Sequence, residues 1–156
     1  MIDKERLHAA IIAAITSATN NAMNAANQAH ETATNKESVA ENKYDTFGLE
    51  ASYLAHGQAQ RVAEYKQALS CYRDLAIVSG IDLSIDLGML VKLKDETGAE
   101  LYLFLGPAAG GLKFHFDDLA ITLITPSSPL GKSLLGLEVG DEVERQNKSY
   151  DILAIY

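Results

Sequence analysis

Residues 11–29 read IIAAITSATNNAMNAANQA, in which Ile11, Ile15, Ala18, Ala22, Ala25 and Ala29 step by four, three, four, three and four. That spacing lays one narrow apolar stripe along an α-helix, the stripe of a helix that packs against a single partner. Asp3 stands where such a helix needs an N-cap. A second series, Phe47, Ala51, Leu54, Gln58, Arg61, Tyr65, Ala68, Tyr72 and Leu75, keeps the same alternation. Two such helices can face each other, with the alanines of the first leaving room for Phe47, Leu54 and Tyr65 of the second. Thr34-Asn35-Lys36 is a polar break, and Ser38-Val39-Ala40-Glu41 fits the S-x-x-E capping box, so the second helix is expected from about Val39. The pattern predicts an antiparallel helical hairpin, a coiled coil.

After Gly80 the period changes to two. Leu90-Val91-Lys92-Leu93-Lys94 and Ala99 to Leu105, joined by Asp95-Glu96-Thr97-Gly98, read as a β-hairpin. Leu112 to Phe116, Leu119 to Thr125, Glu138 to Glu144 and Ser149 to Ile155 are further strand candidates. Pro129 to Gly136 reads as one short helix, with Ser127 or Ser128 as its cap and Gly136 as its stop. All three prolines and nine of the eleven glycines follow Ser79, which divides the chain into residues 1–79 and 80–156. The expected class is α+β: the helical hairpin, then a small antiparallel sheet domain with one short helix.

The 156 residues carry thirteen Lys and Arg against twenty-one Asp and Glu, a formal charge of −8. A surplus of that sign repels a phosphate backbone, which disfavours free-standing nucleic-acid binding. Cys71 is the single cysteine, so neither a disulfide within the chain nor a cysteine zinc site can form. No apolar run reaches the roughly 18–20 residues of a membrane span, and the N-terminus shows no signal-peptide pattern. A cytoplasmic protein is expected, with no membrane partner.

The stretch Ile124-Thr125-Pro126-Ser127-Ser128-Pro129-Leu130-Gly131-Lys132-Ser133-Leu134-Leu135-Gly136-Leu137-Glu138-Val139-Gly140-Asp141-Glu142-Val143 closely resembles the C-terminal domain of the Gre transcript-cleavage factors, GreA and GreB. The shared features are an S-P-L/I stretch, a short helix ending in A/S-L-L/I-G, and V-G-D-x-V. Ala40-Glu41-Asn42-Lys43-Tyr44 is similar to the S-E-N-A-E-Y stretch near the tip of the Gre coiled coil. The resemblance implies an FKBP-like C-terminal domain docked at the rim of the secondary channel of bacterial RNA polymerase, with the coiled coil inserted into the channel. It further implies a transcription elongation factor with no catalytic centre of its own, acting as a monomer and reaching the nascent RNA 3′ end only indirectly. At the rim, Ser127, Ser128, Pro129 and Leu130 are the implied polymerase contacts. At the tip, the family uses an Asp and a Glu to help hold a second Mg²⁺ of the polymerase. Glu41 matches the Glu, but the family Asp falls on Ser38.

Mg²⁺ commonly takes one or two protein carboxylates beside phosphate and water. Glu41 and Asp45, one helical turn apart, are therefore the candidate ligands of a Mg²⁺ shared with the polymerase, with Glu37 as a further tip acid. Capping by itself also accounts for Glu41, and helix capping together with Pro at the first turn accounts for Ser127-Ser128-Pro129. Three functions stay open: a factor that stimulates cleavage of backtracked RNA, a polymerase-binding regulator that does not cut, and a prolyl isomerase. Isomerase chemistry would need an aromatic-lined pocket, whereas the aromatics after Gly80 alternate within strands as a core face does. Gly106 to Gly111 and Gly131-Lys132-Ser133 are near misses to a phosphate loop. His8, His30, His56, His115 and Cys71 have no ligand spacing.

Overall fold

The computed structural model describes residues 1–34, 47–77 and 84–156. Helices α1 (Lys4–Thr34) and α2 (Phe47–Arg73) form a helical hairpin. Strands β1 (Met89–Asp95), β2 (Glu100–Leu105), β3 (Lys113–Phe116) and β4 (Leu119–Ile124) follow, then helix α3 (Pro129–Leu134) and strands β5 (Glu142–Arg145) and β6 (Lys148–Ile155). Compactness divides the chain differently from the change of period. One unit joins Met1–Ala14 to Ala68–Tyr156, and the other is Ile15–Gln67.

Asp3 caps α1 as its position requires: its Oδ1 accepts the Arg6 N–H at 3.1 Å. In the unit Ile15–Gln67, the stripe of α1 is turned inward at Ile15, Ala22 and Ala29, with Ala18 and Ala25 half-buried. Thr19 joins them, its hydroxyl donating to the Ile15 carbonyl at 2.7 Å, so no polar atom is stranded there. The stripe of α2 departs from the expected one. Leu54 is 56% exposed and Arg61 is exposed, while Ala55 and Val62 take the inward positions between Ala51, Gln58 and Tyr65. Leu54 and Arg61 lie seven residues apart and share a flank. Turning that flank inward would bury a guanidinium, so the helix rolls toward the alanine and valine. The interdigitation is also incomplete, because Ala18, Ala22, Gln58, Arg61 and Tyr65 line a hollow of about 270 Å³. Leucine should therefore be tolerated at Ala18, within about 0.5 kcal/mol of the parent. At Ala29, which is 5% exposed, it should overpack the seam at a cost of about 1–3 kcal/mol. Thermal denaturation of the two variants checks this: no loss at Ala29 would place it on an open face, and a loss at Ala18 equal to that at Ala29 would mean that the hollow is filled.

The sheet runs in the order β3-β4-β2-β1-β6-β5. It is mixed, not antiparallel: β4 lies parallel to β2, with Tyr102 opposite Ile121 and Leu105 opposite Ile124. The cause is the link from Gly106 to Leu112, too long for a tight hairpin. It carries the chain past the neighbouring position, so β3 forms the edge and β4 returns between β3 and β2. A two-residue turn, Asp117-Asp118, joins β3 to β4, and Gln146-Asn147 joins β5 to β6. All four residues have positive φ, as type I′ hairpin loops require. The β1–β2 turn is held by Asp95, whose Oδ1 accepts the Thr97 hydroxyl at 2.6 Å and the Thr97 and Ala99 N–H groups at 2.9 Å. These bonds, that of the Thr97 hydroxyl first, hold the Asp95 carboxyl below the usual carboxylate range. The expected strand over 138–144 begins only at Glu142, because Glu138-Val139-Gly140-Asp141 is a turn. Its Glu138 N–H donates to Asp141 Oδ2 at 2.8 Å, and Gly140 has φ +95°.

Alternation gives the sheet two buried faces. Val91, Leu93, Leu103, Leu105, Ile124 and Ile152 form a core with Leu130 and Leu134 of α3. Leu90, Phe104, Ile121 and Leu123 are buried on the other face. There the Tyr72 ring lies 6.3 Å from Phe104, and Arg6 stacks over Phe116 while pairing with Asp117 at 2.8 Å. Among the described residues no buried side-chain nitrogen or oxygen lacks a hydrogen bond, and no helix is long and apolar enough to cross a membrane.

Candidate functional site

The end of β4 and the start of α3 enclose a tight corner. Ser128, not Ser127, is the N-cap: its backbone is extended (φ −70°, ψ 152°) and its Oγ accepts the Gly131 N–H at 3.0 Å. The same Oγ donates to the Thr125 carbonyl at 2.7 Å, and the Ser128 N–H reaches that carbonyl at 3.0 Å. Pro129 occupies the first turn, where a missing N–H costs nothing. Leu130 and Leu134, 6% and 0% exposed, anchor α3 in the core. Gly131 faces the corner at such close quarters that a Cβ there would lie 1.9 Å from the Thr125 oxygen. Gly136, at φ +81°, stops the helix and donates to the Ile85 carbonyl at 2.8 Å. Ser127 is left at the surface, its hydroxyl sharing a 3.0 Å hydrogen bond with that of Thr125.

This corner forms one wall of a cleft of about 990 Å³. The floor is apolar, made by Leu101 and Leu103 of β2 and Ile124 of β4, and the opposite walls carry Lys113, Glu144 and Arg145. Ser127, Ser128, Pro129 and Leu130, consecutive in the chain, all line it. Lys113 and Arg145 form no salt bridge with a described residue and line the cleft together with Glu144, two cations beside one carboxylate in a chain of net charge −8. Among the described residues no aromatic side chain lines the cleft. Phe104, Phe114 and Phe116 are buried elsewhere, at 5%, 9% and 7% exposure.

The tip residues Glu37, Ser38, Glu41 and Asp45, and the start of α2 expected at Val39, lie outside the described residues. Among the described residues no cluster of three His, Cys, Asp or Glu could hold a metal. Both phosphate-loop near misses are structural: Leu112 N–H closes a turn on Ala109 O at 3.2 Å, and Gly131-Lys132-Ser133 lies inside α3. His8 Nε2 is hydrogen-bonded to the Tyr72 carbonyl at 2.5 Å, and Cys71 is free and half-buried.

Sequence reasoning missed Thr125, Gly131, Lys113 and Arg145. A glycine inside a six-residue helix was the available signal for the close corner, since Ala would suit the helix better unless something stood in its place.

No family model and no curated protein matches the chain. Among solved structures, it is similar to the crystal structure of GreA factor homolog 1 (Gfh1) protein of Thermus thermophilus. The identity is 22% and the TM-score 0.39, over 93% of this chain and 94% of that chain. A structure of the transcription factor Gfh1 aligns at 23% identity and a TM-score of 0.40, covering 94% of each chain.

Proposed function

We propose that the chain is a Gre-like transcription elongation factor of the bacterial cytoplasm, a monomer that binds RNA polymerase and modulates its active site without a catalytic centre of its own. The observation that carries this reading is the position of Ser127, Ser128, Pro129 and Leu130 on one cleft with an apolar floor and a polar rim. A concave surface of that kind suits a protein segment that inserts an apolar side chain and hydrogen-bonds at the edge. The two cations Lys113 and Arg145 favour a segment that also carries an acid. The hairpin would then act in the secondary channel, where Glu41 and Asp45 add carboxylates to a Mg²⁺ that belongs to the polymerase. The described residues that line the cleft are aliphatic or polar, and an aromatic ring of the kind a prolyl isomerase pocket needs is not among them.

The test separates docking from chemistry. Ser127→Arg with Pro129→Ala places a long cation in the rim and loosens the first turn of α3. It should weaken binding to RNA polymerase at least tenfold, roughly 1.4 kcal/mol, in a competition titration. Glu41→Gln should bind as the parent does and lose the release of a short 3′ fragment from polymerase stalled on backtracked RNA. The change keeps the side chain's size and removes the negative charge that a Mg²⁺ ligand supplies. A parent that binds without cutting supports the second reading, a regulator that occupies the channel, which Ser38 at the family Asp position favours. Unchanged affinity of the rim variant would sink the docking assignment.

A further inference from the structure

We propose that Thr125 is a positioning residue of the docking corner, whose hydroxyl sets the orientation in which Ser127 meets the partner. The inference rests on the polymerase-docking reading above. It starts from a division of labour within one residue. The Thr125 carbonyl does the structural work, accepting both the N–H and the Oγ–H of Ser128 at 3.0 and 2.7 Å. The side chain packs beside Gly110, its methyl 3.3 Å and its hydroxyl oxygen 3.6 Å from a Cβ built there. The hydroxyl takes no part in the bonds to Ser128. Its side-chain bond goes to Ser127 Oγ at 3.0 Å.

Ser127 is exposed and lines the cleft, and it does not cap α3 because Ser128 does. An exposed serine ordinarily samples all of its rotamers. The Thr125 hydroxyl selects one, and a hydroxyl held before binding loses less freedom when a partner engages it. Pro126 lies between the two residues and Pro129 follows Ser128, and each fixes its own φ, which restricts the backbone through the corner. Thr125 therefore acts on the partner through Ser127.

The experiment uses the full chain and a competition titration against bacterial RNA polymerase, with thermal denaturation alongside. Thr125→Val keeps the branched shape beside Gly110 and the backbone carbonyl, and removes the hydroxyl alone. It should bind about fivefold more weakly, the worth of one ordinary hydrogen bond, with a melting temperature within about 2 °C of the parent. Thr125→Ser should restore parental affinity. Thr125→Val combined with Ser127→Ala should be no weaker than Ser127→Ala alone, since the hydroxyl acts only through its partner. If Thr125→Val binds like the parent while Ser127→Arg with Pro129→Ala binds weakly, this proposal falls and the docking reading stands. Losses that add in the double variant, or follow a lowered melting temperature, would mark Thr125 as structural and overturn the proposal. A parent that does not bind the polymerase overturns the docking reading and this proposal together.

Discussion

Replacing Gly131 by alanine is expected to cost about 3 kcal/mol of stability, roughly 6–12 °C in a protein of this size, and to abolish docking. The new Cβ would lie 1.9 Å from the Thr125 oxygen, 2.8 Å from its carbonyl carbon and 2.9 Å from Ser128 Oγ. Two of these three neighbours are backbone atoms at the end of β4, which is hydrogen-bonded on both sides within the sheet. The strand cannot give way, so α3 must move. On its far side the helix is held by Leu134, at 0% exposure, and Leu130, at 6%. A shift large enough to relieve the contact would pull both leucines from the core and break the bond from the Gly131 N–H to the Ser128 cap. Loss of a cap typically costs about 1 kcal/mol and overpacking about 1–3 kcal/mol. Gly57 supplies the contrast. It lies exposed in α2 with nothing within 4 Å of a built Cβ, so Gly57→Ala should stabilise the chain by up to about 1 kcal/mol. Denaturation of both variants decides the matter: a gain at both positions would show that helix propensity governs Gly131 and that its closeness to Thr125 is immaterial.

The close corner shows where reading from sequence stops. Ser128-Pro129 identifies a helix start from local chemistry, because a cap and a prolyl first turn concern neighbours three residues apart. The contact of Gly131 with Thr125 depends on how β4 enters α3, a tertiary fact of which the glycine is only a trace. The same limit recurs in the sheet. The alternation in Leu90 to Lys94 and Ala99 to Leu105 shows which residues share a face, and β1 and β2 pair across Asp95 to Ala99 as expected. It carries no information on which strand lies beside which, so the parallel pairing of β2 with β4 came only with the path of residues 106–112. In α2 the heptad-like spacing is compatible with two neighbouring stripes, and the cost of burying Arg61 decides between them. Lys113 and Arg145 are thirty-two residues apart in the chain, so no spacing rule could have placed them at one cleft.

Tyr72 sets the second large effect. Its side chain is fully buried, its Oη donates to the Ala108 carbonyl at 2.9 Å, and its own carbonyl is bonded to His8 Nε2 at 2.5 Å. Gly106 passes directly over the phenol: a Cβ there would lie 1.9 Å from Oη, 2.6 Å from Cζ and 3.0 Å from Cε1. Gly106 cannot retreat, because its N–H is committed to the Ile124 carbonyl at 2.8 Å. Gly106→Ala should therefore cost about 3 kcal/mol, while Tyr72→Phe should cost only the hydrogen bond, about 1 kcal/mol. Combining the two removes the closest contact and leaves the ring carbons in the way, so the double variant should lose less than the two single losses together. Burial also pushes the Tyr72 hydroxyl well above the ordinary tyrosine value of 10.0. The sign of the resulting pH dependence follows from linkage. Below pH 10 the phenol is protonated in both states and its contribution is complete. As pH rises past 10 the unfolded chain releases the proton while the folded chain keeps it, so stability falls with each further pH step. Every other ionisable group is common to the parent and Tyr72→Phe and cancels in the comparison of the two. The difference in unfolding free energy between parent and Tyr72→Phe should thus be constant up to about pH 10 and shift against the parent above it. A difference that stays flat to pH 12 would mean that the phenol reaches water in the folded protein, and the tight seat under Gly106 would have to be abandoned with it.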